Sequence, residues 1–258
     1  MSNKHKKVSK LLLDGDLICW RVSASKEHPV NWGGGLWTLH SFEEECYLSA
    51  QQYIEHMKFL TDIDSVEIVL SHTSNFRKEL YPDYKANRKD VRKPLCFRPL
   101  REWLLNEYPT IIYDNLEADD TMGILASDSR YEYALISDDK DMMTVPSTHY
   151  VPKNREWINV TEAKANYHFF MQTLTGDTTD NYKGAHNVGA VGAAKVLAGI
   201  DPLNEEAMWK AVIGAYTKAK QTPEDALLNA RLARILRAGE YNHVTNEPRL
   251  WNPPVLSE

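Results

Sequence analysis

Cysteine is scarce in this chain: Cys19, Cys46 and Cys96 are the only three among 258 residues. An odd number without zinc-type spacing excludes a disulfide framework and a structural zinc site, and implies reduced thiols in a reducing compartment. Long apolar runs are also missing, and none approaches the roughly 20 residues of a membrane span. The opening MSNKHKKVSK is basic but has no apolar stretch of the secretory type, so residues 1–9 are expected to be a basic tail. No repeat, low-complexity tract or long linker stands out. These absences point to a cytoplasmic protein without a membrane partner, built as one large domain or as a core with a subdomain.

What the chain does have is acid, gathered into four clusters. Asp14 and Asp16 lie in LLLDGD; Glu117, Asp119 and Asp120 in LEADD; Asp139 and Asp141 in SDDKD; Asp177 and Asp180 in GDTTDN. Several clusters follow apolar runs such as Leu11–Leu13 or Ala134–Ile136, which have the character of buried strands. Parallel strands deliver their C-terminal ends to one edge of a sheet, where the ligands of open α/β folds collect. So many carboxylates at one edge repel each other, and an oxygen-ligated divalent ion such as Mg²⁺ or Mn²⁺ relieves that repulsion. Asp16 is the uncertain member of the set.

The pattern predicts a strand over about 10–18, a Gly- and Trp-rich loop over 28–37 and a helix over about 42–60. Strands at 66–70, 110–113 and about 132–137 follow, with helices over about 99–107 and from Glu117 onward. From about 160 the pattern is helical with no clear strand. This order argues for an α/β fold with a mostly parallel central sheet covered by helices on both faces.

The net charge of −6 argues against a nucleic-acid partner, but its distribution reverses that argument. Between Arg77 and Arg101 nine Lys and Arg residues face only Glu79, Asp83 and Asp90, a local balance of +6. Local charge governs phosphate binding. Within this stretch Tyr84-Lys85-Ala86-Asn87-Arg88 offers a ring and two cations; on a helix Tyr84 and Arg88 share a face and suit a terminal base and a phosphate. Gly184, Gly189 and Gly192, with Val188 and Lys195, open a later helix in the small-residue manner that exposes backbone N–H groups to phosphate.

The order DGD, YKANR, EADD, SDDKD, GDTTDN and a Gly-rich helix–hairpin–helix resembles the 5′-nuclease (flap endonuclease) superfamily. NFRKELYPDYKANRK, ARILRAGEYN and the late LW are similar to the 5′→3′ exonucleases of short-tailed bacteriophages, and the likeness runs from about residue 11 to Trp251. The resemblance implies a PIN-like catalytic core over 10–158 with a helical arch at about 75–101. It also implies a helical subdomain over 159–258 with the hairpin at about 184–199. Asp14, Glu117 and Asp119 then resemble ligands of a first metal, and Asp139, Asp141 and Asp177 those of a second, with Asp119 shared. Asp120 and Asp180 resemble additional acids. Catalysis is expected from Lys85, Arg88, Asp119 and Asp139, and DNA contact from Arg77, Tyr84, Lys85, Arg88, Lys89 and the hairpin.

The implied activity is 5′→3′ hydrolysis of DNA by two Mg²⁺ ions, with Mn²⁺ able to substitute. Ends, nicks, gaps and flaps are the implied substrates, together with RNA primers in RNA–DNA hybrids. Replication proteins are the expected partners and a bacterial host cytoplasm the setting. Two departures stand out. Asn187 occupies a hairpin position where Gly is usual, and His72 in Leu70-Ser71-His72 aligns where relatives place an acid near the first metal. An imidazole there adds no negative charge, which predicts weaker Mg²⁺ binding relative to Mn²⁺. Two alternatives compete: a haloacid-dehalogenase-like phosphomonoesterase, whose motifs Asp14-Gly15-Asp16 and Gly176-Asp177 imitate, and a catalytically silent DNA-binding replication accessory protein.

Overall fold

A computed structural model of the chain describes residues 8–255; residues 1–7 of the expected basic tail lie outside the described residues. Its centre is a six-stranded sheet built from β1 (Lys10–Asp14), β4 (Val66–Val69), β5 (Thr110–Ile111), β6 (Tyr133–Ile136), β7 (Thr148–Val151) and β8 (Glu156–Asn159), in the order β5-β4-β1-β6-β7-β8. The first five strands of that order run parallel and β8 pairs antiparallel with β7. The apolar runs of β1, β4 and β6 are continuous because both sheet faces are covered. Leu11 and Leu13 pack on one side, against α1 (Gly15–Ser25), α2 (Glu43–Thr61) and α4 (Phe97–Glu107). Leu12 packs on the other, against Ala118, Met122 and Leu125 of α5 (Ala118–Ser127).

The C-terminal helices α6 (Glu162–Thr175), α7 (Ala190–Val196), α8 (Glu205–Lys218) and α9 (Pro223–Ala233) gather around a further core containing Phe169, Phe170, Trp209 and Trp251. After α9 the chain returns to the sheet: Ile235 packs with Met122 and Val145, and Leu236 with Phe76 and Ile124. Among the described residues no helix is long and apolar enough to cross a membrane.

Four differences from the sequence expectations bear on the site. The first strand stops at Asp14, because its carboxylate accepts the Leu17 N–H at 2.9 Å and caps α1, where a strand to 18 was expected. The segment 28–40 is a hairpin, β2 (His28–Asn31) with β3 (Trp37–His40), and its Trp32, Leu36 and Trp37 are exposed. The edge pair β7 and β8 went unanticipated, since Thr148-His149-Tyr150 carries no apolar alternation. Finally, the expected arch is mostly irregular: α3 (Phe76–Leu80) is one short turn, and only a 3₁₀ turn (Ala86–Arg88) precedes α4. Pro82 and Pro94 withhold the N–H groups that a continuous helix needs.

Candidate active site

Three adjacent strands end at one edge of the sheet. β1 ends at Asp14, β4 runs on into Ser71, and β6 runs on into Asp139. α5 starts at the same edge, with Glu117 as N-cap and Asp120 closing a capping box. From β1 the chain crosses to β4 on one side and later to β6 on the other, the kind of switch point at which open α/β sheets form their crevice. Ser71 ties these ends together: its N–H donates to Asp16 Oδ2 at 2.7 Å, and its Oγ accepts the Ala118 N–H at 2.9 Å.

Asp14, Glu117, Asp119, Asp139, Asp141, Asp177 and Asp180 all line a single cleft of about 730 Å³, and Asp16 joins them. Burial, reinforced by Asp16 and Asp139, raises Asp14 to about 7. Burial with Asp14 and Asp139 pushes Asp119 well above the carboxylate range. Asp141 rises to about 7 through burial together with Asp139 and Asp177. Each of these acids is thus desolvated beside acids of another cluster, a frustration that a cation relieves. The donors are all oxygen, which suits Mg²⁺ or Mn²⁺. Among the described residues no three His, Cys, Asp or Glu side chains converge as a ready cage. A spaced set still fits an ion such as Mg²⁺, which keeps several waters and uses only one or two carboxylates.

These shifts fix a pH dependence. Unfolded Asp titrates near ~3.9, so between about 4 and 7 the native protein holds protons that the unfolded chain has released. Without metal, stability should therefore fall as pH rises through that window. In EDTA the melting temperature is expected to be lower at pH 8 than at pH 5, and added Mn²⁺ should reverse the loss.

The basic segment closes one wall. Lys85, in a left-handed conformation (φ 56°), places its Nζ 2.6 Å from Glu117 Oε1 and 3.6 Å from Asp180 Oδ2. Arg88 Nη2 donates to Asp180 Oδ1 at 2.7 Å. Burial alone would raise Glu117, but Lys85 and Arg77 overcome it and hold that carboxyl down to about 2. Lys85 remains a cation because Glu117 and Asp180 outweigh its desolvation. The segment docks on the GDTTDN loop through Lys85 N–H to Asp180 O (2.9 Å) and Asn181 Nδ2 to Asp83 O (2.8 Å).

Several sequence expectations require correction. Asp120, expected among the metal acids, is fully buried and holds Arg77 through two bonds of 2.6 and 2.7 Å, so its oxygens face away from the cleft. Arg77, expected to bind DNA, is buried with its fork committed to Asp120, Leu232 O and Arg234 O. Tyr84 is buried as well: its hydroxyl lies 2.9 Å from both Glu117 and Asp180, so its ring offers no open face for a base, and without a helix it shares no face with Arg88. His72 lies outside the cleft lining, its ring beside Ser74 Oγ, Asn115 N–H and Asp114, and Ser71 lines the cleft at the strand end in its place. Lys89 is exposed and also outside the cleft lining.

In the Gly-rich hairpin Gly184 is buried, and close packing requires its missing side chain: a Cβ there would meet Leu174 O at 2.2 Å. Val188 and Gly189 line a second groove of about 580 Å³, with Lys195 exposed on α7. Asn187 adopts φ 61°, a left-handed conformation that Asn tolerates, which explains how it stands in for Gly.

The sequence reading missed Trp20 and Phe97. Their rings meet edge to face at 6.3 Å in the cleft wall, with Lys93 Nζ 4.5 Å from the Phe97 centroid. Trp20 lies four residues after Asp16, so the helical period would have placed both on one face of α1 had that helix been anticipated.

A family model described as the 5′-3′ exonuclease N-terminal resolvase-like domain matches residues 11–172, more than half of the chain. The chain belongs to the 5′-3′ exonuclease family. This family member is 28% identical to the exonuclease of Escherichia phage T7, over 94% of its own length and 93% of the relative's. It is 29% identical to DNA polymerase I of Bacillus caldotenax over 64% of its length, but over only 21% of that protein. The bacteriophage T5 flap endonuclease, solved with DNA and metal ions, superposes with a TM-score of 0.62 at 17% identity, covering 88% of this chain and 89% of that one. That likeness shows the shared fold: a mostly parallel sheet with helices. The phosphomonoesterase and silent-protein alternatives gain no support from these relatives.

Proposed function

We propose that this family member is a divalent-metal-dependent 5′→3′ exonuclease of DNA phosphodiesters, working with two Mg²⁺ ions or with Mn²⁺ in their place. The observation that carries the proposal is the meeting of seven expected acids with Lys85 and Arg88 in one cleft. When bound there, divalent ions supply charge neutralisation at the scissile phosphate and activation of water.

The chain's own residues do the rest. Asp14, Glu117 and Asp119 form one group of donors and Asp139, Asp141 and Asp177 the other, with Asp119 between them and Asp180 beside Lys85. Lys85 and Arg88 are preset cations that exchange their carboxylate partners for phosphoryl oxygens when DNA arrives. The Tyr84 hydroxyl orients Glu117 or Asp180. Trp20, exposed in the cleft wall with Phe97 packed behind it, offers the ring face on which an end base stacks, while Val188 and Gly189 of the second groove, with Gly192 and Lys195 on α7, contact the duplex backbone.

On this reading residues 10–158 are the catalytic core and 159–258 the subdomain that grips the duplex. Flaps and RNA–DNA hybrids are further substrates, replication proteins are partners, and the host cytoplasm is the site of action.

Duplexes labelled at the 5′ or the 3′ end test the reaction. With Mg²⁺ or Mn²⁺ the 5′ label should appear in the smallest products while the 3′ label stays on shortening strands, and EDTA should stop both. Release of the 3′ label first would overturn the polarity. Lys85→Ala is expected to lower the single-turnover rate by on the order of 10²-fold. Trp20→Ala should weaken DNA binding by about 1 kcal/mol or more, the scale of one lost base stack, with kcat at saturating DNA largely kept. Fluorescence anisotropy beside single-turnover assays measures both.

A further inference from the structure

After α9 the chain runs as an extended strap, residues 234–237, that lies outside the 11–172 span matched by the family model. It touches both elements that carry the central acids. On α5, Leu236 N–H donates to Asp120 Oδ1 at 3.2 Å and Ala238 N–H to Ser127 Oγ at 2.8 Å. Gly123 permits this approach, since a Cβ there would meet Leu236 O at 2.4 Å. Arg77 locks the same crossing from below, its fork spanning Asp120, Leu232 O and Arg234 O.

Beside the apolar packing of Ile235 with Val145, the strap's hydrogen bonds to the other element come from Arg237. Arg237 is buried, and its Nε and Nη2 donate to Thr144 O at 3.1 and 2.8 Å, while Nη1 donates to Asn166 Oδ1 at 2.8 Å. Thr144 closes the 3₁₀ turn Lys140–Thr144 that Asp139 caps, and its hydroxyl donates to Asp141 O at 2.8 Å. Asp139 Oδ1 in turn accepts the Asp141 N–H at 2.8 Å. Arg237 is therefore tied through the Thr144 backbone and hydroxyl to the Asp141 backbone, whose N–H holds the Asp139 carboxylate. The last carbonyls of such a turn lack internal partners, and a guanidinium fork supplies two donors in fixed geometry. A buried cation aimed mainly at neutral carbonyls is a weak device for stability, but an effective one for holding a turn in place.

We propose that Arg237 is a positioning residue for the metal-binding acids: the strap sets the Asp139–Asp141 turn in register with Asp119 on α5. The inference rests on the metal-nuclease reading above. Outer partners of this kind typically change metal affinity or activity 10- to 100-fold. Arg237→Gln in the full-length chain should therefore raise the Mn²⁺ half-saturation, read by calorimetry, by on the order of tenfold. It should lower kcat in parallel while leaving KM for DNA near the parent value. Arg237→Lys, which keeps the charge but loses the fork, should recover part of the loss.

Thr144→Val cuts the link to Asp141 with little change of shape. It should raise the half-saturation several-fold even if Arg237→Gln fails to fold. Variants that are folded yet bind Mn²⁺ as the parent does would overturn the proposal, whatever their melting temperatures. A parent that binds no Mn²⁺ and cleaves no DNA would instead sink the metal-nuclease reading itself.

Discussion

Asp119→Asn is expected to reduce cleavage by on the order of 10³-fold, the scale of losing transition-state electrostatics, while duplex binding stays near the parent level. Asp119 sits in the cleft with Asp14 and Asp139 close enough to raise it, and Lys85 close enough to oppose them. The change replaces the anionic oxygen that both groups of acids share in the proposed site with a neutral, weaker ligand. The same change should make the metal-free protein more stable, because an amide occupies that desolvated place beside Asp14 and Asp139 without the cost of taking up a proton. Loss of activity with a gain in melting temperature separates an acid kept for function from one kept for folding. A variant that loses both activity and stability would place Asp119 in the scaffold.

Arg77→Ala should do the opposite. Arg77 and Asp120 form a buried, doubly bonded pair, and truncating one partner leaves a buried carboxylate unpaired. Such a loss costs about 3–5 kcal/mol, or roughly 10 °C or more in melting temperature for a chain of this size. The double change Arg77→Met with Asp120→Leu should recover much of it, as apolar replacement of a buried pair often does. If Arg77 contacted DNA, Arg77→Ala would instead melt like the parent and bind DNA more weakly. Calorimetric unfolding of the parent and the two variants beside a DNA titration decides between them.

These two residues show what the sequence could and could not disclose. Acids at the ends of apolar strands were legible because a parallel sheet sends such ends to one edge. Seven of the eight expected metal acids meet in the cleft, and Asp16, a doubtful member, joins them. Asp120 was not separable from Asp119, since adjacent residues at a helix start look alike until a buried partner claims one of them. That partner, Arg77, read as part of a basic surface run because charge counting carries no information on burial. The segment 84–88 misled for a different reason: its helical spacing is real, but Lys85 at φ 56° and Pro82 break the helix that the spacing assumes. The strap around Arg237 was visible only as the phrase ARILRAGEYN, because its contacts bridge residues 93 apart along the chain and no local pattern encodes them.

If the cleft acids form a cation site, metal binding by acids raised to about 7 must release protons. Mn²⁺ titrated into the metal-free protein at neutral pH, by calorimetry in two buffers of different ionisation heat, measures stoichiometry and proton release together. The predicted result is two equivalents bound with net proton release, both diminished in Asp119→Asn. Absence of binding, or binding that releases no protons and is unchanged by Asp119→Asn, would contradict it.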